Sequence, residues 1–421
     1  MKRDTRRCTS QAANRPRCCP DGRYTADFAR SRRSSERESA VRTRGIKPIE
    51  HLMDLSMRLK RRMLLGCGIA LLTAPARRAF GAVTAAAFER HLGLVTEHDK
   101  LSGLHALLVS QHSAVIFEHY QSGEDETRSG EQLGIVDFAP NVPHDLRSVT
   151  KSVVGLLYGI ALADGKVPPP DAKLYAQFPK YPDLGAQTGR DKLTIAHVLS
   201  MTMGLEWDEL SVPYGDRRNS ETAMNAAADR YRYILSLPIA GEPGAKWVYC
   251  GAATALLAHL IVRGTGMPLI EYARRVLFEP MGFGPVEWAR GQDGEPHAAS
   301  GLGLLPRDML KIGELVLAGG AWQSRQLVPV AWVEKISTPT IEIDRYRSYG
   351  YHWYMGDVVA AGQSRTHHWI GGFGWGGQRL FVLPDLDLVI AINCGNYGKS
   401  PEEQNRVAGS VFTAVVLPLV S

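Results

Sequence analysis

A serine followed three residues later by a lysine, Ser148 and Lys151, is the pattern in this 421-residue chain with the clearest chemical potential. Apolar residues recur at helical spacing after Ser148, and Asp-Gly at 164–165 is a typical helix C-terminus, so a helix is predicted over about 148–165. Positions i and i+3 share a helix face, which places Lys151 beside Ser148. The Ser-x-x-Lys pattern occurs once in the chain, but alone it is a weak signal.

This pairing suits nucleophilic catalysis. A serine hydroxyl is a weak nucleophile until a neighbouring group accepts its proton. A lysine can accept it when burial and nearby positive charge favour the neutral amine, and the apolar run after Lys151 would supply the burial. The helix N-terminus adds N–H groups that suit a developing oxyanion. The simpler alternative is a solvent-facing serine and lysine on an ordinary helix.

The elements around this helix indicate an α+β fold. Two hairpins are predicted near opposite ends of the chain, one from 106–109 and 114–117 around a turn at 110–113, the other from 379–383 and 386–393. Between them, from about 166 to 291, apolar residues recur at helical spacing, and 401–417 is predicted as a final amphipathic helix. Strands at both ends imply one sheet built from both parts of the chain.

Five further segments follow the Ser148 helix in a recognisable order. They are Leu193–Gly204, Glu242–Gly251, Ser300–Asp308, Tyr349–Tyr351 and Gly374–Gln378. Together, over 95–415, they resemble the serine β-lactamase-like family, which includes class C β-lactamases, D-alanyl-D-alanine carboxypeptidases, related esterases and 6-aminohexanoate-dimer hydrolases. The resemblance implies an antiparallel sheet flanked by helices, with an inserted all-helical subdomain at about 166–291.

By this resemblance, Ser148 is the acylated nucleophile, Lys151 its proton acceptor and Tyr249 the group that passes a proton to the leaving group. Positive charge from Lys151 and Lys246 is expected to lower the pKa of the Tyr249 phenol. Without the other motifs, a tyrosine at 249 would be read as a core residue bonded to backbone.

The resemblance also assigns the oxyanion hole and part of the substrate site. The backbone N–H groups of Ser148 and Gln378 would bind the oxyanion. Trp375, Gly376 and Gly377 would contact substrate, since glycines let a strand approach an acyl group closely. The family needs no cofactor and no metal.

Two departures from the family pattern bear on substrate. Gly251 stands where the family tripeptide Tyr-x-Asn has its amide, and Trp375 replaces the lysine of Lys-Thr-Gly. Loss of that cation, unless Arg379 or His368 replaces it, favours an esterase or amidase acting on less charged acyl groups. The alternatives are a penicillin-interacting D,D-peptidase or β-lactamase, and a non-catalytic binding protein on the same fold.

Other sequence patterns do not support the functions that they would usually indicate. Residues 372–377 match Gly-x-Gly-x-x-Gly, but a strand rather than a helix is predicted to follow, which argues against dinucleotide binding. The chain has no Gly-x-Ser-x-Gly nucleophile elbow and no His-Glu-x-x-His. His367 and His368 are adjacent and would point to opposite faces of a strand, so no metal site is expected.

Charge divides the chain into a basic leader and a mildly acidic body. Residues 1–80 carry 20 Lys and Arg against 7 Asp and Glu, whereas 81–421 carry 29 against 36. The acidic body argues against a nucleic-acid partner. The resemblance implies a small-molecule ester or amide as the substrate.

The leader is expected to direct export. Residues 1–52 have the composition of a disordered or non-native extension. Residues 53–81 contain basic 58–62, a short apolar run at 63–74 and small-residue cleavage sites, as in a signal peptide. A twin-arginine signal and a lipoprotein cysteine at Cys67 are the open alternatives, and no stable membrane span is expected.

The mature hydrolase domain is then 82–421. It would keep only Cys250 and Cys394, each expected as a small buried side chain rather than a disulfide partner.

Overall fold

The computed structural model describes residues 85–96, 101–360 and 363–420. By its contacts the chain divides into Met1–Ala76 and Arg77–Ser421, and every described element belongs to the second unit. The predicted N-terminal extension, the signal peptide and Cys67 lie outside the described residues.

A large antiparallel sheet forms the centre of the described part of the chain. In the described residues it has eight strands, which are β1 (Leu104–Gln111), β2 (Ala114–Tyr120), β10 (Ile341–Asp344), β11 (Arg347–Gly350), β12 (Trp353–Val359), β13 (Thr366–Gly374), β14 (Gln378–Leu383) and β15 (Leu388–Cys394). Their order across the sheet is β10-β11-β12-β13-β14-β15-β1-β2. The fold is therefore α+β, with one sheet joining the two parts of the chain, as the sequence predicts.

Shorter strands form small satellite sheets. These are β3 (Gly123–Glu126) with β4 (Gln132–Val136), β5 (His144–Asp145) with β7 (Leu302–Leu304) and β6 (Glu287–Trp288), and β8 (Ala321–Trp322) with β9 (Arg325–Gln326).

Helices cover both faces of the large sheet. They are α1 (Ala85–Thr96), α2 (Val149–Ala163), α3 (Pro182–Gly185), α4 (Ile195–Leu199), α5 (Ser220–Ala226), α6 (Arg230–Ser236), α7 (Gly251–Thr265), α8 (Leu269–Ala273), α9 (Pro306–Leu317), α10 (Val330–Ile336), α11 (Pro401–Ser410) and α12 (Leu417–Val420). Arg274–Phe278 continues α8 as a π-helix, and Val411–Val416 joins α11 to α12 in the same way. Short 3₁₀ turns occur at Tyr175–Gln177, Arg190–Lys192, Trp375–Gly377 and Pro384–Leu386.

The alternating side chains of β14 show which helices pack on the same face of the large sheet. Phe381 stacks on Phe412 of the C-terminal helix, with ring centroids 4.4 Å apart. Its neighbours Leu380 and Val382 point the other way, towards Gly313 of α9. Successive side chains of a strand point to opposite faces, so α9 and the C-terminal helix lie on opposite sides of the sheet. Gly372 is paired with Leu380 and faces Ser152, so α2 lies on the α9 side.

The two predicted hairpins are present with small shifts of boundary. The first turn is narrower than predicted, because Ser110 and Gln111 still pair within β1 and only His112 and Ser113 turn, both with positive φ. Two positive φ values in a two-residue loop match the twist of the flanking strands. The second hairpin joins β14 to β15 through Pro384–Leu386.

The segment between the hairpins is mostly helical. From α3 to the π-helix Arg274–Phe278 the described elements are helices, and the strand β6 near the end of the predicted insert is the exception, because it pairs with β7. The predicted final helix is also present, broken into α-, π- and α-helical parts.

Cys250 and Cys394 are buried and free, as predicted. Burial raises the pKa of the Cys394 thiol to about 12, so it is held as an inert thiol. Among the described helices, none alone is long and apolar enough to cross a membrane, although the bent pair Gly251–Thr265 and Leu269–Phe278 reaches that size together.

Candidate active site

Ser148 lies at the N-cap of α2, directly after a strained residue. Arg147 adopts a left-handed conformation with φ of 47°, which is costly for a residue with a side chain. Its N–H donates to the Asp145 carboxylate at 2.7 Å, and its guanidinium donates to the carbonyls of Glu126 and Thr127. These contacts hold the turn that presents the Ser148 hydroxyl at the start of the helix.

Lys151 lies one turn into α2, and its amine meets the serine. Nζ donates to Ser148 Oγ at 3.0 Å and to the Ala299 carbonyl at 3.0 Å. The lysine is only 3% exposed, in a helix buried continuously from Val149 to Ala161. The sequence-predicted pair is therefore brought together with the hydroxyl and amine in direct hydrogen-bond contact.

Tyr249 closes the site from the other side, just before α7. The Lys151 amine lies 4.6 Å from the centroid of its ring, and its hydroxyl interacts with the Ser148 side chain. The expectation that positive charge lowers the pKa of Tyr249 is wrong. Burial raises that pKa well above its ordinary value, the charge of Glu209 raises it further, and Lys246 is exposed. The phenol is therefore held protonated.

The end of β13 approaches the backbone of Ser148. A Cβ placed on Gly374 would lie 3.1 Å from the Ser148 nitrogen and 2.5 Å from the Leu146 carbonyl oxygen. Gly374 pairs with Gln378 across the turn that leads into β14. The end of the strand thus packs against the backbone of the nucleophile, and the choice of Gln378 as the second oxyanion donor stays a prediction.

The Gln378 side chain itself is buried away from solvent. Its Oε1 accepts from the backbone N–H of Cys394 at 3.1 Å and from Asn393 Nδ2 at 3.2 Å. Its amide donates to the Cys394 carbonyl, so the side chain fastens the turn to β15.

Trp375, Gly376 and Gly377 form the turn between β13 and β14. Both glycines have positive φ, and a Cβ at Gly376 would lie 2.4 Å from the ring of Tyr397. The Trp375 indole donates to the Tyr397 carbonyl at 2.9 Å, and its ring meets Tyr214 edge-on at 6.1 Å. The strand β14 follows the glycines, as predicted, whereas a dinucleotide-binding Gly-x-Gly-x-x-Gly motif is followed by a helix.

Neither proposed substitute for the missing lysine is a free cation. Arg379 is buried, and it donates to the carbonyls of Gly374 and Gln378 and to Asn405. Burial lowers the pKa of its guanidinium to about 10. His368 is exposed and contacts Asp357 at 3.0 Å, on the face of β13 opposite to buried His367.

Two buried carboxylates beside the site escaped sequence analysis. Glu209 is 2% exposed and Glu221 is 5% exposed, and both border Gly251. A Cβ on Gly251 would lie 3.2 Å from Glu209 Oε2 and 3.4 Å from Glu221 Cδ. The space next to the missing amide of the Tyr-x-Asn tripeptide is therefore bordered by acidic side chains. The sequence carries no signal for this, because glutamates are normally exposed.

One group of side chains has the composition of a metal site. Within the described residues, His105, Asp125 and His144 place one ligand atom each within 4.8 Å of one another. His105 Nδ1 lies 3.0 Å from His144 Nε2, and Asp125 accepts from the Tyr397 hydroxyl. Among the described residues, the buried Nε2 of His105 has no hydrogen-bond partner.

Comparisons with known proteins identify the family to which this chain is similar. The beta-lactamase family model matches residues 95–410. The 6-aminohexanoate-dimer hydrolase of Paenarthrobacter ureafaciens is 25% identical over 309 residues, which cover 68% of this chain and 71% of that protein.

Solved structures show the same fold at low identity. Simvastatin synthase from Aspergillus terreus superposes with a TM-score of 0.58 and 15% identity, over 80% of this chain and 99% of that one. EstCE1, a hydrolase with promiscuous acyltransferase activity, gives a TM-score of 0.57 and 14% identity, over 77% and 98%.

Proposed function

The chain belongs to the beta-lactamase family and is a hydrolase of that family; from this premise we propose that it cleaves an ester or amide bond through an acyl-enzyme on Ser148. One observation carries the proposal. The Ser148 hydroxyl is in contact with the buried amine of Lys151 at 3.0 Å, at the N-terminus of a helix.

In the proposed acylation step, Ser148 Oγ forms a bond to the substrate carbonyl carbon while its proton moves to Lys151 Nζ. The carbonyl oxygen becomes an oxyanion. As the bond to the leaving group breaks, Tyr249 gives its proton to the leaving oxygen or nitrogen, and the Lys151 ammonium reprotonates the phenol. The raised pKa of Tyr249 supports this role, because a protonated phenol can act as a general acid.

Deacylation reverses these roles with water in place of the leaving group. Water loses a proton to the Lys151 and Tyr249 pair as its oxygen bonds to the acyl carbon. The bond to Ser148 Oγ then breaks, and Oγ takes a proton back. No group outside the described side chains and water is needed to balance these steps.

The oxyanion would be bound by backbone N–H groups. Ser148 at the N-cap of α2 supplies one, with the partial positive charge of the helix N-terminus behind it. The second comes from the strand that packs against it at Gly374, with Gln378 as the predicted donor. Preorganised donors of this kind act where charge develops in the transition state.

The walls of the site favour acyl groups that carry no carboxylate. Trp375 and Tyr214 present aromatic surface, and Glu209 and Glu221 lie buried beside Gly251. Carboxylates next to the reacting centre repel a carboxylate on the acyl part of a substrate, which β-lactams carry. An esterase or amidase activity is therefore proposed over a β-lactamase or D,D-peptidase activity. 6-Aminohexanoate dimer, whose acyl part carries an ammonium rather than a carboxylate, is among the substrates to test.

Covalent labelling tests the proposal. A fluorophosphonate probe is expected to form an adduct on Ser148, found by peptide mass spectrometry, and Ser148→Ala should abolish it. Absence of a wild-type adduct would favour a non-catalytic binding protein. Turnover of p-nitrophenyl esters, 6-aminohexanoate dimer and nitrocefin then separates the substrate classes, and fast nitrocefin hydrolysis would overturn the preference for acyl groups without a carboxylate.

We also propose that the protein is exported and acts in the periplasm or outside the cell. The basic residues 58–62 before the apolar run 63–74 support this. Fractionation of tagged cells and N-terminal sequencing of the mature protein test it, and an uncleaved cytoplasmic protein would contradict it.

A further inference from the structure

Glu209 is a buried carboxylate that takes no part in the proposed proton transfers. It lies in the loop before α5 and is 2% exposed. Its neighbour Glu221 is paired with Arg128 at 3.2 Å. Among the residues that the structure describes, no salt bridge includes Glu209. An unpaired buried carboxylate is costly, so its contacts must explain its presence.

Its two oxygens contact two different segments that border the site. Oε2 accepts from the backbone N–H of Gly251 at 2.6 Å and from the Trp207 indole at 3.0 Å. Gly251 is the first residue of α7, two residues after Tyr249. Oε1 accepts from the hydroxyl of Tyr214 at 3.0 Å. One carboxylate therefore fixes both the segment that carries the phenol and the ring that packs against Trp375.

The same carboxylate is electrically coupled to the proposed proton-transfer groups. Burial and the charge of Glu221 raise the pKa of Glu209 to about 7, while Lys151 acts in the opposite direction. Glu209 in turn raises the pKa of Tyr249. The titratable and charged groups that face it, from every neighbouring element, are Lys151 on α2, Glu221 on α5, Tyr214 in its own loop, Tyr249 and Cys250 before α7, and Tyr349 on β11.

A neutral amide would satisfy most of these bonds at lower cost. Glutamine could accept from Gly251 and Trp207 without placing a charge in the protein interior. A carboxylate at this position adds only its negative charge, directed at the tyrosine and lysine of the site.

We propose that Glu209 is a positioning residue of this active site, whose ionised carboxylate anchors Tyr249 through Gly251 and seats Tyr214 against Trp375. The inference rests on the proposed acyl-transfer function. It assigns Glu209 control over both the proton-transfer geometry and one wall of the acyl pocket, without direct contact with substrate.

The test compares Glu209→Gln with the wild type across pH. The variant keeps the side-chain shape and removes the charge. With a p-nitrophenyl ester, kcat/KM should fall about tenfold near pH 8.5 and converge with the wild type to within about threefold near pH 5.5, where wild-type Glu209 is itself protonated. Asp208→Asn, a charge removal at the next residue on an exposed side chain, is the matched control and should leave the profile unchanged.

A second variant tests the other wall. Tyr214→Phe keeps the ring but loses the bond to Glu209, so KM for bulky esters should rise about threefold or more while kcat and the pH profile stay close to wild type. This variant also serves if Glu209→Gln does not fold.

The outcomes separate the two proposals. A wild type that gives no probe adduct on Ser148 overturns the proposed function and this inference with it. A labelled, active wild type whose ratio to Glu209→Gln is the same at every pH overturns the positioning role alone, because a merely structural glutamate would give a constant ratio. An unchanged KM in Tyr214→Phe overturns the seating of the aromatic wall.

Discussion

The two sides of the site are built on opposite principles. On the sheet side, Ser148 and Lys151 belong to a helix buried from Val149 to Ala161, in which Lys151 is the one charged residue. On the other side, Glu209 and Glu221 are buried in and beside a loop, among tyrosine hydroxyls and backbone N–H groups. Apolar packing fixes the reactive pair, whereas a polar network surrounds the phenol.

The difference indicates a division of labour. Close packing allows a side chain little freedom, so the amine and hydroxyl of α2 are held in contact. Buried charges cost stability but act strongly on neighbouring groups. The α2 side would then hold the reacting hydroxyl and amine in place, and the polar side would hold the phenol and control its protonation.

The largest effect is expected from Lys151→Met, which removes the amine from the closely packed helix α2. kcat/KM should fall at least about 10⁴-fold because the proton acceptor is lost, while the thermal midpoint stays equal or rises, since methionine needs no solvation. Steady-state kinetics and thermal unfolding measure the two. Lys166→Met, at an exposed site after α2, should change neither. Activity within about tenfold of wild type would contradict the role of the amine.

Tyr249→Phe probes the polar side and should cost about 10²- to 10³-fold in kcat/KM, because the general acid is removed while the ring remains. Stability should hardly change. Tyr158→Phe is the control: that hydroxyl is bonded to the Pro168 carbonyl, and only stability should respond. Equal losses of activity in both variants would show that the phenol at 249 has no special part.

Gly374→Ala tests how closely β13 approaches the nucleophile. Its Cβ would lie 2.5 Å from the Leu146 carbonyl oxygen, so the strand or the Ser148 turn must shift, and the free energy of unfolding should fall by about 1–3 kcal/mol, together with activity. Gly398→Ala has no neighbour within 4 Å and should change stability by less than about 0.5 kcal/mol. Chemical denaturation compares them. Equal stabilities would contradict the close approach.

The smallest expected effect is on stability at different pH, and it sharpens the polar side of the comparison. Because the pKa of Glu209 is raised from 4.5 to about 7 in the folded protein, the folded state binds more protons than the unfolded state between these two pH values. The free energy of unfolding therefore falls as pH rises from about 4.5 through 7, and this effect levels off above the folded pKa. Glu209→Gln has no ionisable group here, so its free energy of unfolding should fall by at least about 1 kcal/mol less than that of the wild type between pH 5 and pH 8. Thermal unfolding at the two pH values measures the difference. Parallel curves for variant and wild type would exclude an ionising Glu209.

The sequence predicts what local patterns control. The helix after Ser148, the two hairpins and the helical segment between them follow from apolar periodicity and turn residues, and the structure contains them. The contact of Ser148 with Lys151 was predictable from i, i+3 spacing, because one helix fixes it.

Contacts made by tertiary packing were not predictable. The sign of the Tyr249 pKa shift depends on burial and on Glu209, which lies 40 positions earlier in a loop. In the sequence, Glu209 and Tyr214 resemble ordinary polar residues of an exposed loop. Only the fold shows that Glu209 contacts Gly251 and that Tyr214 packs against Trp375. Similarly, the residues around Arg379 in the sequence do not show that its guanidinium donates to backbone carbonyls.

The pairing of β1 has a consequence for how the protein is made. β1 lies between β2 and β15, with Leu107 opposite Ile392, so its second neighbour is synthesised long after the hairpin of β1 and β2. Contacts between distant parts of a sequence are slow to form, and the unpaired edge of an early hairpin is open to misassembly until then. The central sheet cannot close before β15 has been synthesised, and a chain cut within β15 should depend on chaperones rather than form a smaller enzyme.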